Sequence, residues 1–264
     1  MNQYEVDLEG IIKTKTGGKE LPGFVMKALR RFLRLDYING YLRKGDQGID
    51  FCCGAIEYLG VTIEVEGLEN VPEGGRYTFA SNHPLGGIDG IALGGIIGRN
   101  FGSVKMIVND FLMALPGLRA LCIPVNKTGA QGRDLPRLIN EAFDSQDNMM
   151  VFPAGKCSRL IDGKIQDLEW SKTFITQSVK SGRDIVPVHF IGENSSRFYR
   201  IARLCKLLHL KVNIAMGFLP DEMYRNRGQK FRIIFGKPIP CSHFDSSKKP
   251  LEWAAYVREE VYKL

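Results

Sequence analysis

Several things are missing from this sequence, and each absence excludes a class of protein. No apolar run approaches the ~18–20 residues that a membrane-spanning helix needs; the longest candidates, Gly90–Gly98 and Ile185–Gly192, stop far short. The first ten residues carry no basic segment followed by an apolar stretch, so they do not read as a secretory leader. Six cysteines are present, but none forms a C-x-x-C pair: Cys52 and Cys53 are adjacent, and Cys122, Cys157, Cys205 and Cys241 are scattered. That is neither a zinc spacing nor a disulfide framework, and each cysteine reads as a small buried hydrophobe in a reduced, cytosolic protein. Internal repeats, low-complexity tracts and obvious linkers are also lacking.

What is present is an ordinary globular composition with a basic surplus. Of 264 residues 44% are apolar, and 36 Lys and Arg face 29 Asp and Glu, a formal net charge of +7. A pI near 9.1 implies an anionic partner without naming it. Nucleic acid is a poor candidate, because no RNP pattern, zinc finger or basic zipper occurs.

The charge concentrates in two amphipathic stretches. In Leu21–Arg43, Phe24, Val25, Ala28, Leu29, Phe32 and Leu33 recur at helical spacing, with Lys27, Arg30, Arg31 and Arg34 between them. Such a helix can pack on its own core or lie in a membrane interface. Between Arg197 and His209, basic residues fall at every third position among Phe198, Tyr199, Ile201, Leu204, Leu207 and Leu208. The remainder alternates strand-like segments (61–67, 77–81, 104–108, 122–126, 149–152, 185–191, 211–216, 231–235) with helical ones (88–98, 135–143, 170–179, 251–261). That alternation predicts a single α/β domain, with a mixed, largely parallel central sheet flanked by helices and an N-terminal amphipathic helical appendage.

Two segments carry chemistry. In Ala80-Ser-Asn-His-Pro-Leu-Gly-Gly-Ile-Asp-Gly90, an apolar strand runs into Asn82 and His83, Pro84 breaks it, and Asp89 opens an apolar helix. A histidine at the carboxyl end of an α/β strand lies where such folds place active sites. Asp89 could fix the imidazole tautomer while the other ring nitrogen takes a proton; equally, His83 could be a loop residue and Asp89 a helix cap. In Val151-Phe-Pro-Ala-Gly-Lys-Cys-Ser-Arg159, a strand leads into a Gly turn beside Lys156, Ser158 and Arg159. It reads as an anion site or as a turn with solvated charges.

Together these segments resemble the lysophospholipid (glycerolipid) acyltransferase family over about residues 60–240. Four blocks stand in the family's order: Asn82-His83 with Asp89; Lys105, Pro116 and Ile123-Pro-Val-Asn-Lys127; Phe152-Pro-Ala-Gly155 with Ser158; and Ile185-Val-Pro-Val188. The Asn-His-Pro-Leu-Gly-Gly-Ile-Asp run and the segment ending at Ser195 are closest to the bacterial hemolysin-like branch, which includes O-acyltransferases of ornithine- and glycine-lipid synthesis. Two departures stand out. The family has four residues between the His and the Asp, and this chain has five. Where the family reads Phe-Pro-Glu-Gly-Thr-Arg-Ser, Ala154 and Cys157 replace the Glu and the Arg, which fits an acceptor without a phosphomonoester.

The resemblance implies acyl transfer from an acyl carrier protein or coenzyme A thioester to the hydroxyl of a lyso-lipid, with a lyso-aminolipid as the expected acceptor. The alternatives are a 1-acylglycerol-3-phosphate acyltransferase and a non-catalytic lipid-binding protein. His83 is the expected general base and Asp89 its partner. Asn82, Lys105, Asn126, Lys127, Gly155, Lys156, Ser158 and Arg159 are the expected substrate contacts, with backbone amides around Gly155 holding the oxyanion. No metal or cofactor is expected. Residues 1–58 become a membrane-associating arm and 59–264 the acyltransferase domain, peripheral on the cytoplasmic face of the inner membrane and attracted to its anionic surface.

Overall fold

A computed structural model describes residues 5–125, 131–208 and 217–264. Four helices come first: α1 (Leu8–Thr16), α2 (Gly23–Phe32), α3 (Leu35–Leu42) and α4 (Gly48–Tyr58). Then β1 (Thr62–Glu66), β2 (Tyr77–Ser81), α5 (Ile88–Phe101), β3 (Val104–Asn109), β4 (Cys122–Val125), α6 (Gln131–Asp144) and β5 (Asn148–Val151) alternate. A hairpin of β6 (Arg159–Ile161) and β7 (Lys164–Gln166) precedes α7 (Thr173–Ser181), β8 (Asp184–Ile191), α8 (Ser196–Leu207), α9 (Leu219–Arg225), β9 (Lys230–Phe235) and α10 (Pro250–Lys263). The sequence-based strand at 211–216 lies outside the described residues.

Seven strands form one sheet in the order β1-β9-β8-β2-β5-β3-β4. Every pairing is parallel except β8 with β9. The expected mixed, largely parallel sheet is therefore present. Its centre is β2, whose five residues are all buried because helices cover both faces. At the strands' starting end Arg183 is fully buried, and its guanidinium donates to the carbonyls of Phe143 (2.7 Å), Asp147 (2.7 Å) and Ser145 (2.6 Å). Phe143 and Ser145 close α6, so the cation also sits at the negative end of that helix.

The single basic helix expected over Leu21–Arg43 is two helices. Arg34 adopts a left-handed backbone (φ 54°) between α2 and α3, and its guanidinium is held by Asp221 of α9, Nε to Oδ1 at 2.8 Å. A bulky residue reaches that conformation only when tertiary contacts fix it. The two halves differ in fate. α3 buries Leu35, Tyr41 and Leu42, and α4 packs on α5 so closely that a Cβ on Gly98 would meet Ile49 Cγ1 at 2.5 Å. Both share one core with β2 and α5. α2 buries no residue at all.

Candidate active site

β2 ends at Ser81, and the next residue continues its ladder by side chain. The Asn82 amide accepts from Phe190 N–H (2.7 Å) and donates to the Phe190 carbonyl (2.9 Å), so it stitches the exit of β2 to β8. His83 follows. Residues 84–87 form a bend, not a helix, and α5 begins at Ile88. Six positions along a continuous helix would put His83 and Asp89 about 120° apart, on different faces. The bend removes that mismatch, and His83 Nδ1 lies 3.0 Å from Asp89 Oδ2. Gly86 makes the detour possible. It sits at φ 76°, where a side chain is strained, and any Cβ there would collide with Cys157 Sγ.

Asp89 is wholly buried and fully engaged. Oδ2 accepts from the N–H groups of Leu85 (2.9 Å) and Gly86 (3.1 Å), and Oδ1 from Gly90 (2.9 Å). It is thus both the histidine's partner and the cap of its loop. Burial penalises the charged form of each group, but their mutual attraction outweighs it. The His83 pKa is raised above the ordinary imidazole value and that of Asp89 is held below the usual carboxylate range. Nδ1 is buried within 3.0 Å of Asp89 Oδ2, which favours the tautomer that carries its proton on Nδ1, facing Asp89. The side chain keeps 17% exposure, and Nε2 makes no hydrogen bond to the described residues.

The second segment closes over this pair. Phe152 stacks on the imidazole, with ring centroids 4.0 Å apart and planes at 23°. Pro153 and Ala154 turn the chain, and the Gly155 N–H closes the turn on the Phe152 carbonyl (2.9 Å). That amide is committed to the turn rather than free to hold an oxyanion. Lys156 is exposed beside it. Ser158 is buried, and its N–H donates to the His83 carbonyl at 2.8 Å. Arg159 donates to the carbonyls of Cys157 (2.6 Å) and Ser158 (3.1 Å), and its guanidinium lies near enough to oppose protonation of His83.

His83, Asp89, Gly155, Lys156, Ser158 and Arg159 are therefore brought together. Lys105 is not. It is level with Thr78 through Met149, five residues before His83, about 16 Å along a strand at ~3.3 Å per residue, and its ammonium donates to the Ala120 carbonyl (2.7 Å). Asn82 lies at the site, but its amide is used in the sheet. Asn126 and Lys127 fall outside the described residues.

Two residues not singled out in the sequence support the bend between His83 and Asp89. Asn194 donates from Nδ2 to the carbonyls of Pro84 (3.1 Å) and Leu85 (3.2 Å). Asp167 touches both His83 and Ser158. α9 packs on the same bend: a Cβ on Gly87 would lie 2.7 Å from Met223 Sδ.

A buried histidine–carboxylate pair at the exit of a parallel sheet has the geometry that proton transfer needs. Residues 11–264 match the acyltransferase family. The chain belongs to that family. It is 50% identical over 266 aligned positions to a lyso-glycine lipid O-acyltransferase of Bacteroides thetaiotaomicron, covering 99% of this chain and 98% of that one. A lyso-glycine lipid O-acyltransferase of Phocaeicola vulgatus is 49% identical, with 99% and 95% covered. The crystal structure of the 1-acyl-sn-glycerophosphate acyltransferase PlsC from Thermotoga maritima shares the fold, with a TM-score of 0.54 at 20% identity over 98% of this chain and 89% of that one.

Proposed function

We propose that this acyltransferase moves a fatty acyl group from an acyl thioester to the hydroxyl of a lyso-aminolipid of the glycine-lipid type. The observation that carries the chemistry is His83, with Nδ1 anchored on a buried carboxylate and Nε2 left to a substrate. Nε2 takes the proton as the acceptor hydroxyl attacks the thioester carbonyl. Asp89 keeps the tautomer and offsets the charge of the imidazolium. Collapse of the tetrahedral adduct forms the ester and expels the thiolate, which recovers the proton from His83. Support for the acceptor comes from the activity that the two relatives' names give at about half identity and from Cys157, an uncharged thiol where the family's usual Arg stands.

The lipid is reached from a membrane surface in this reading. Phe24 of α2 is 77% exposed and Leu207 of α8 73%, beside the cations of both helices. Both are tied to α9: Phe32 of α2 packs edge-on against Phe218 at its start, and Asp221 takes Arg34, which follows α2, and Arg197 of α8. Exposed apolar groups flanked by cations suit an anionic bilayer. Purified protein given acyl carrier protein or coenzyme A thioesters should acylate lyso-glycine lipid in preference to lysophosphatidic acid. Preference for lysophosphatidic acid would replace the acceptor, and binding without turnover of either would replace the enzyme with a lipid carrier.

A further inference from the structure

A second carboxylate touches His83, at its main chain rather than its ring. Asp167 lies between β7 and α7 and is buried. Its Oδ1 accepts from the His83 N–H (3.2 Å) and the Ser158 hydroxyl (2.6 Å), and its Oδ2 from Trp170 Nε1 (2.9 Å). Ser158 returns to the histidine by donating its own N–H to the His83 carbonyl. The N–H, the C=O and Nδ1 of His83 are thus all tied down, the first two through Asp167 and Ser158.

The C-terminal helix holds Asp167 in turn. Its N–H donates to the Tyr262 hydroxyl (2.8 Å), and Arg258 donates to its carbonyl (2.8 Å) and to Gln166 Oε1 (3.0 Å). Burial raises the Asp167 carboxyl above the usual carboxylate range, and Ser158, Trp170 and His83, by donating to it, offset only part of that rise. Burying a carboxylate is unfavourable unless donors and charge offset it. What suits the carboxylate form is the donor set: His83 N–H, the Ser158 hydroxyl and Trp170 Nε1 all donate to its two oxygens.

We propose that Asp167 is a positioning residue for acyl transfer: it clamps the His83 main chain to the 152–158 turn and places a second negative charge beside the imidazolium formed in the reaction. This rests on His83 being the base. The groups facing the pair are Asp89 from α5, Arg159 from β6, the Cys157 thiol, and Tyr262 and Arg258 from α10, with His189 edge-on to Tyr262; the variants below alter no other charge among them.

The test measures kcat and KM across pH for the full chain, with folding followed by circular dichroism. Asp167→Asn keeps the shape and removes the charge. We expect kcat to fall on the order of 10–100-fold, as small misplacements of a catalytic group do, with KM for the lyso-lipid little changed. The acid limb of kcat moves to lower pH, because the imidazolium has lost one of its two carboxylates. Tyr262→Phe disturbs the same cluster but keeps the carboxylate, and its limb stays in place. Ser158→Ala cuts the tie between Asp167 and the turn; it covers the case of an Asp167→Asn chain too unstable to assay, and its kcat falls about tenfold with the limb unmoved. An unchanged kcat in Ser158→Ala, or an unchanged kcat or unmoved limb in Asp167→Asn, overturns the proposal. His83→Ala separates the two failures. If it retains turnover, the base assignment itself is wrong; if it is inactive while Asp167→Asn matches wild type, only the role of Asp167 falls.

Discussion

The two ends of the central sheet each bury ionised groups, and they use them oppositely. At the starting end, the Arg183 guanidinium spends its donors on the carbonyls of Phe143, Ser145 and Asp147, and burial pulls its pKa down to about 10 without discharging it. Each of its three nitrogens has a backbone carbonyl partner, and the side chain is closed off from solvent. At the exit end, Asp89 is equally saturated, but its histidine keeps Nε2 unpaired by the described residues. Full satisfaction stabilises; a withheld bond is what the proposed mechanism offers to the substrate. The same polar chemistry makes a staple or a catalyst according to whether the last partner is supplied from within.

That contrast can be broken at either end. The largest effect belongs to His83→Ala, which should lower kcat by about 10²–10⁴-fold, the usual share of a general base, while the thermal midpoint stays near that of wild type; turnover within tenfold would end the assignment. Arg183→Met should do the reverse. It leaves at least three buried carbonyls unpaired, destabilises the fold by on the order of 3 kcal/mol, and leaves kcat per folded molecule unchanged, as urea unfolding alongside active-site titration would show.

Asp89→Asn sharpens the exit end. We expect kcat to fall about 10²-fold, with the acid limb moving down. The sign follows from the raised His83 pKa. Activity needs the neutral base, so it rises as pH passes a value above the ordinary imidazole pKa, and losing the carboxylate that favours the imidazolium brings that value down. A limb that stayed put would detach Asp89 from the base. The smallest effect is at the surface: Phe24→Asp with Leu207→Asp should weaken co-sedimentation with anionic vesicles by about tenfold or more, from the apolar burial forgone. Turnover on detergent-dispersed lipid should be nearly unchanged, and undiminished vesicle binding would remove these helices from the membrane.

Much of the sheet was legible because its strands are short apolar runs bounded by turns: Tyr77–Ser81 stands as read, and most of the others differ by a residue or two at their ends. The α2–α3 break was not legible, since a left-handed Arg34 is fixed by an acid 187 residues away. Nor was the β6–β7 hairpin, whose three-residue strands are too short to show alternation. The site divides in the same way. His83 and Asp89 were visible because proline and glycines isolate them between a strand and a helix. In Gln166-Asp-Leu-Glu-Trp170 nothing local distinguishes the buried Asp167 from the exposed Glu169; Ser158 and Tyr262, the latter 95 residues away, decide it.

The bend between His83 and Asp89 has one more consequence. Spacing in sequence is a proxy for separation in space, and the proxy holds only while the intervening backbone is fixed. Here an inserted residue is absorbed by a left-handed glycine tucked against a thiol, and the two side chains still meet at 3.0 Å. A search keyed to four intervening residues would pass over this chain. What the proposed mechanism needs is a distance, and a loop with the right kink keeps it through a change of count.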